Sequence, residues 1–249
     1  MSRSSSDPTM WGLALFGGGL FGFFWGLREY WRLRLLKNTP TAKINSVAIG
    51  LAELQGHAVP RETLTSPIEQ LPCVYWRYKV EELRRSGKHS YWATIAEDKS
   101  HVPFYIEDDT GKILVDPDGA DVDIPHDLCE ETGMFSSLSA CTQGFCSRQG
   151  YGTGFFERNK RFTEWMIAPR DPLFVFGTVT APEGQMAGLR KTEDRLVCYD
   201  RSNKFFLIAD KSAKEIESSY AWKAAGGILG GGLASLVGLG ILLNKFGVL

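Results

Sequence analysis

Two uncharged apolar runs, one near each end of the chain, decide most of what it can become. Residues 10–27 read MWGLALFGGGLFGFFWGL, 18 in all, and residues 224–243 read AAGGILGGGLASLVGLGILL, 20 in all. At 1.5 Å per residue the first makes a helix about 27 Å long, close to the roughly 30 Å of a bilayer's hydrocarbon core. Both runs are longer and more uniformly apolar than an ordinary buried helix, so each predicts a transmembrane span. A cleaved signal peptide would carry positive charge before its apolar core and a small-residue site after it. Here only Arg3 precedes the run, Arg28, Arg32, Arg34 and Lys37 follow it, and no A-x-A occurs, which favours an uncleaved anchor. Trp11, Trp25 and Trp222 fall near the expected interfaces, where indoles settle.

Glycine is periodic within both runs. Gly18, Gly22 and Gly26 form two overlapping G-x-x-x-G steps, and Gly226, Gly230, Ala234 and Gly238 form a small-x-x-x-small stripe. A spacing of four places such residues on one helix face, where two backbones can approach closely. The expectation is that the two helices pack together or that copies of the chain form a homo-oligomer in the lipid bilayer. Neither run holds an ionisable residue, so no proton relay through one protomer is expected. Basic residues flank the inner ends of both runs: Arg28, Arg32, Arg34 and Lys37 after the first, Lys211, Lys214 and Lys223 before the second. Arg3 and Lys245 stand alone on the other side. The positive-inside rule therefore predicts a two-pass protein with its soluble part in the cytoplasm and both termini outside.

The organisation expected is a tail at 1–9, a span at 10–27, a helical stalk at 28–40, a mainly β (α+β) domain at 41–210, a short helix at 211–223, a span at 224–243 and a tail at 244–249. Within the domain the period changes to two. In CVYWRYKVEEL, residues 73–83, Val74, Trp76, Tyr78 and Val80 alternate with polar neighbours, which predicts a half-buried strand. Further strands are expected at 47–54, 91–96, 104–107, 112–115, 173–180, 196–199 and 205–208, with a hairpin turn at 85–88 and another at Asp108-Asp109-Thr110-Gly111. Gly50 and Gly56 mark possible bends. About eight short strands with tight turns predict an OB-like barrel or a sandwich-like domain. Residues 130–160, rich in Ser and Gly, read as a long loop or short helices.

Little in this domain points to catalysis. No P-loop, G-x-S-x-G, H-E-x-x-H or dinucleotide fingerprint occurs. Five cysteines (Cys73, Cys129, Cys141, Cys146, Cys198) and four scattered histidines lack zinc-site spacing, so free thiols are expected, with no metal, cofactor or catalytic residue assigned. The aspartates Asp108, Asp109, Asp116, Asp118, Asp121 and Asp123 lack the spacing of a calcium loop and read as turn chemistry. Glu157, Arg158, Arg161 and Glu164 read as a solvated or ion-paired face. A net charge of −1 gives no bulk attraction to nucleic acid, which is not an expected partner.

The order of several strings resembles the GIDE family, also described as the beside-a-membrane domain, which includes mitochondrial and chloroplast outer-membrane E3 ubiquitin ligases. The strings are NTPTAKINSVAIGLAELQG, CVYWRYKVEE, SHVPFYIEDDTGKILVDPDGADVDI and RFTEWMIAPRDPLFVFGTVTAPEG between two membrane helices. In those ligases a zinc-binding RING finger follows the second helix; here six residues follow Leu243, none Cys or His. The resemblance thus implies the family's membrane part without its RING, most like prokaryotic members. In the mitochondrial ligases this domain faces the intermembrane space, whereas the flanking charge here predicts the cytoplasm. The function expected is a membrane-anchored sensing or interaction protein. Its β domain would bind an unidentified protein or small ligand and drive helix association or membrane perturbation in a bacterial stress or defence response. The alternatives are a RING-less ligase-like scaffold serving a separate partner, and an enzyme using the acidic loop or Cys141 and Cys146.

Overall fold

The computed structural model describes residues 8–133, 138–152, 158–181 and 195–245, which divide into two compact units: Met1–Pro40 with Ser212–Leu249, and Thr41–Lys211.

In the first unit, helix α1 (Pro8–Asn38) is continuous from the apolar run through the arginine-bearing stalk. It stops at Thr39, whose hydroxyl and N–H both turn back to the Leu35 carbonyl, and Pro40 disfavours helical geometry just before itself. Helix α3 (Ala213–Ala225) starts from a capping box in which Ser212 and Glu215 satisfy each other's backbone N–H groups. It runs through one π-helical turn at Gly226–Gly230 into α4 (Gly231–Lys245). Three of the five residues in this GGILG turn are glycine.

The second unit is built on a closed barrel. Its strands are β1 (Gly50–Val59), β6 (Phe104–Glu107), β7 (Lys112–Val115), β11 (Pro172–Thr180) and β12 (Leu196–Cys198), ordered β1-β6-β7-β12-β11, with β11 returning to β1. Every pairing is antiparallel except β7 with β12, where Leu114 and Val115 face Leu196 and Val197 in parallel. Five strands closed by one parallel pair is OB connectivity, one of the two architectures the strand pattern predicts. β1 serves both sides of the closure: residues 50–57 pair with β11, and residues 57–59 pair with β6. Gly56 sits at that switch, where a Cβ would come within 3 Å of the Glu107 carbonyl carbon, so only glycine permits the approach. Leu54, Ile106, Ile113, Val115, Val175 and Val197 fill the interior. Strands β13 (Leu207–Ala209) and β8 (Asp121–Asp123) extend the sheet beyond β11.

Two insertions meet in a second sheet ordered β5-β4-β10-β9. The hairpin β4 (Tyr75–Ser86) and β5 (His89–Lys99) comes from between β1 and β6, while β9 (Leu128–Glu131) and β10 (Lys160–Ile167) come from between β7 and β11. Helix α2 (Ala140–Gln149), capped by Ser139 and closed by Gly150 at φ 74°, packs Phe145 and Cys146 against Val80 and Phe162 of this sheet. Among its described residues, the stretch 130–160 therefore contains one helix, α2. A short ladder, β2 (Leu64–Thr65) with β3 (Pro72–Cys73), frames the loop 66–71.

Candidate functional site

Helices α1 and α4 meet backbone to backbone along an antiparallel seam. A Cβ added to Gly26 would lie 2.5 Å from the Ile228 nitrogen; one on Gly227 would lie 2.6 Å from the Gly26 Cα. Gly19 meets the backbone of Gly231 and Ser235, and Gly238 meets that of Gly12 and Phe16, all closer than a methyl group allows. Gly12 itself faces Leu242. On α1 the seam follows Gly12, Gly19 and Gly26, seven residues apart. At 3.6 residues per turn a step of seven drifts by roughly 20°, whereas a step of four drifts by roughly 40°.

That drift separates the sequence-predicted packing residues. Gly26 and Gly238 lie in the seam, and Gly22 borders it with Gly231 Cα at 3.5 Å from an added Cβ. Gly18, Gly226 and Gly230 lie outside it, with nothing within 4 Å of an added Cβ. With Gly22 and Ala234 they line an open groove of about 430 Å³ between the two helices, walled by Leu15 and Trp25. The sequence reading passed over Gly12, Gly19, Gly227 and Gly231; a seven-residue step through the first run from Gly26 could have flagged Gly12 and Gly19.

In the β domain the acidic residues act locally. Asp108 accepts hydrogen bonds from the Thr110 hydroxyl (2.6 Å) and from the N–H groups of Thr110 (2.7 Å), Gly111 (3.0 Å) and Ile44 (3.0 Å). Burial disfavours its charge, but these four donors outweigh it and hold its pKa below the usual carboxylate value. Asp109 pairs with Lys43, Asp118 with His101, and Asp123 with Lys211 at 2.8 Å. Among the described residues, no group of three or more His, Cys, Asp or Glu side chains is placed to hold a metal.

The thiols are separate and free. Burial, with the nearby Glu164 charge, pushes Cys73 up to about 11, and burial likewise raises Cys146; neither is poised as a nucleophile. Cys129 and Cys141 are exposed.

Arg158 and Arg161 do form ion pairs, with Glu82 at 3.0 Å and Glu131 at 2.6 Å respectively. Glu164 corrects the reading of that group as one solvated face. It sits on β10, whose strand the sequence reading missed, and is wholly buried. Its carboxylate accepts from the Ile68 N–H (2.8 Å), the Glu69 N–H (2.9 Å) and the Ser66 hydroxyl (3.2 Å). Alternation explains the difference: Arg161 and Glu164 differ by an odd number, so they lie on opposite sheet faces. Glu157 falls outside the described residues.

A family model named GIDE, described as an E3 ubiquitin ligase, matches residues 75–243, more than half of the chain. Searches of the curated proteins and of the solved structures returned no match.

Proposed function

The chain belongs to the GIDE family, and from that premise we propose that it is a two-pass integral membrane protein whose β domain binds a protein or small ligand and whose helix pair associates with further copies. Two helices, Thr9–Asn38 and Ala213–Lys245, are long and apolar enough to cross a membrane, with 18-residue windows of mean hydropathy 1.4 and 1.9. Their outward side chains support lipid contact over a role as buried core: Phe21, Phe24, Leu229, Leu233 and Leu236 are all exposed. The observation that carries self-association is the groove beside the seam. Gly18, Gly226 and Gly230 leave two backbones open along one face, with Gly22 and Ala234 also lining the groove, the kind of surface on which a further transmembrane helix packs closest.

Flanking charge supports a cytoplasmic domain. Cysteine accessibility tests this: reagents that do not cross membranes should miss Cys129 and Cys141 in sealed cells while labelling a cysteine placed at Ser4. Self-association is tested by sedimentation of the full chain in micelles. The Gly18→Leu/Gly230→Leu variant should fill the groove, spare the seam and lower the oligomeric state; an unchanged state would refute the groove's role. In its most concrete form the protein is a membrane-perturbing effector of a bacterial stress or defence response. Toxicity on overexpression that survives the same double substitution would count against it.

A second reading follows from the family's description. The domain would act as a ligase-like scaffold for a separate RING-bearing partner. Co-purification of ubiquitin-conjugating activity with the full chain would favour it over the first reading.

A further inference from the structure

The hairpin β4–β5 outruns the strand beside it. β10 pairs with β4 only as far as Lys160 opposite Glu82, and the Leu83 N–H takes one last bond to the Asn159 carbonyl at 2.8 Å. Among the described residues, no strand neighbours that edge of β4 beyond Leu83. Side chains from both strand faces therefore border one open space. It is a cleft of about 540 Å³ lined by Leu83, Arg84, Arg85, Tyr91, Arg158 and Asn159. Leu83 and Arg85 share a side by the two-residue period, so the backbone N–H of Arg85 also faces this edge.

The cleft's charge is fixed in place. Glu82 Oε1 accepts from Arg158 Nη1 at 3.0 Å and from Arg84 Nε at 3.2 Å, pinning two guanidiniums while satisfying only one donor of each. The hydrogen bonds from Arg158 and Arg84 hold the Glu82 pKa below its usual value, so the clip stays charged through neutral pH. No ion pair involves Arg85 among the described residues. Among the described residues, three cations against one carboxylate leave two positive charges beside the half-exposed Tyr91 ring.

We propose that this cleft binds a phosphate monoester. Such a group carries about −1.5 to −2 charge at neutral pH, which matches the surplus, and its three oxygens suit forked guanidinium donors. Tyr91 offers an aromatic face to the organic part of the ester. The shared chemistry could come from a soluble metabolite or from a lipid headgroup. The inference rests on the reading of the β domain as a ligand-binding module and not on helix association.

The test is isothermal titration of the full chain in neutral detergent micelles, with phenyl phosphate in one arm and a short-chain phosphatidic acid in the other. Either probe should bind, and Arg85→Ala/Arg158→Ala should weaken binding at least tenfold. Raising salt from 50 to 200 mM should weaken it as well. Arg158→Glu alone, at an exposed position, should give a comparable loss if the double variant folds poorly. Binding of phenyl phosphate assigns a soluble ester, and binding of phosphatidic acid alone assigns a headgroup; both support the proposal. Failure of both probes, insensitivity to the arginine substitutions, or binding only of an unphosphorylated acidic peptide would overturn it. Sedimentation of the same samples reports self-association separately, so failure of one reading is distinguishable from failure of the other.

Discussion

Removing the Glu164 carboxylate should open the loop 66–71 while leaving the barrel folded. In the wild type this loop is tied down from several directions. Glu164 takes the Ile68 and Glu69 N–H groups and the Ser66 hydroxyl, and Arg148 donates to the Pro67 carbonyl at 2.8 Å. Gln70 adopts a φ of 61° and donates its side-chain amide to the Ser66 and Pro67 carbonyls. A non-glycine residue in that region persists only where its surroundings enforce it. In Glu164→Ala three donors lose one charged acceptor, and Ser66 and Ile68 are wholly buried. Each unsatisfied buried donor costs on the order of 1–3 kcal/mol, and partial access of water to the vacated space lowers the sum to about 3 kcal/mol. Since about 1.4 kcal/mol is one factor of ten, amide exchange at Ile68 and Glu69 should speed up roughly 100-fold. Glu164→Gln keeps an oxygen for Ser66 and Glu69 but turns an NH2 toward the Ile68 N–H, so its effect should be smaller and fall mainly on Ile68. Hydrogen exchange of the full chain in micelles, read by mass spectrometry on peptides spanning 66–71, measures both variants. Unchanged exchange at 66–71 in Glu164→Ala would refute the anchoring argument, as would equal acceleration across β1 and β11, which would signal global unfolding.

Gly231→Leu, in the seam, should separate α1 from α4. Spin labels at Thr9 and Lys245, whose side chains touch at 2.5 Å in the wild type, should show a broadened and longer distance distribution by pulsed EPR. Asp108→Asn should flatten the acid limb of the stability curve: with its folded pKa lowered, Asp108's contribution is full above its ordinary value of 3.8 and is lost as pH falls through the lower folded value. Acid titration of the barrel's near-UV circular dichroism compares the two. For Cys73 the sign reverses. Its raised pKa keeps the thiol neutral, a contribution full below the ordinary 9.0 and lost as pH climbs through about 11, so iodoacetamide at pH 8 should modify Cys129 and Cys141 well before Cys73.

The barrel was legible wherever a strand has one wet face. Residues 104–107 and 112–115 coincide with β6 and β7 because alternation and the Asp108–Gly111 turn act together there. β10 escaped because KRFTEWMI places Lys160, Phe162 and Glu164 on its buried side, so charge appears where the alternation rule expects apolar residues. Two buried charges in one strand are tolerable only because distant backbone groups satisfy them: the loop 66–71 for Glu164, and the Gly152 carbonyl, at 2.8 Å, for Lys160. The Glu164 partners lie 96 and 95 residues away in sequence, and no local window contains them. Helix α2 was half-legible for a related reason. Its buried side is only Thr142, Phe145 and Cys146, too few for a periodic signal in ten residues.

The two long apolar helices present the opposite problem, too many candidates. Glycine occurs often enough in both runs that stripes with steps of four and seven coexist, and a sequence cannot rank them. Geometry does, because a seam between antiparallel helices must hold its face over many turns. Gly12, Gly19 and Gly26 keep within roughly 40° of one another over two heptads, while Gly18 and Gly26 diverge by roughly 80°. On α1 the seven-step glycines therefore take the long intramolecular seam, while Gly18 falls beside it together with Gly226 and Gly230 of the facing helix. A four-step stripe suits a shorter crossing at a steeper angle, the kind a second copy makes when it meets the pair over a turn or two. The glycines are then divided between two places, one set in the seam of the helix pair and the other left open on its surface. Substitutions should divide in the same way: Leu in the seam breaks the pair, and Leu in the groove leaves the pair intact and blocks only what docks there.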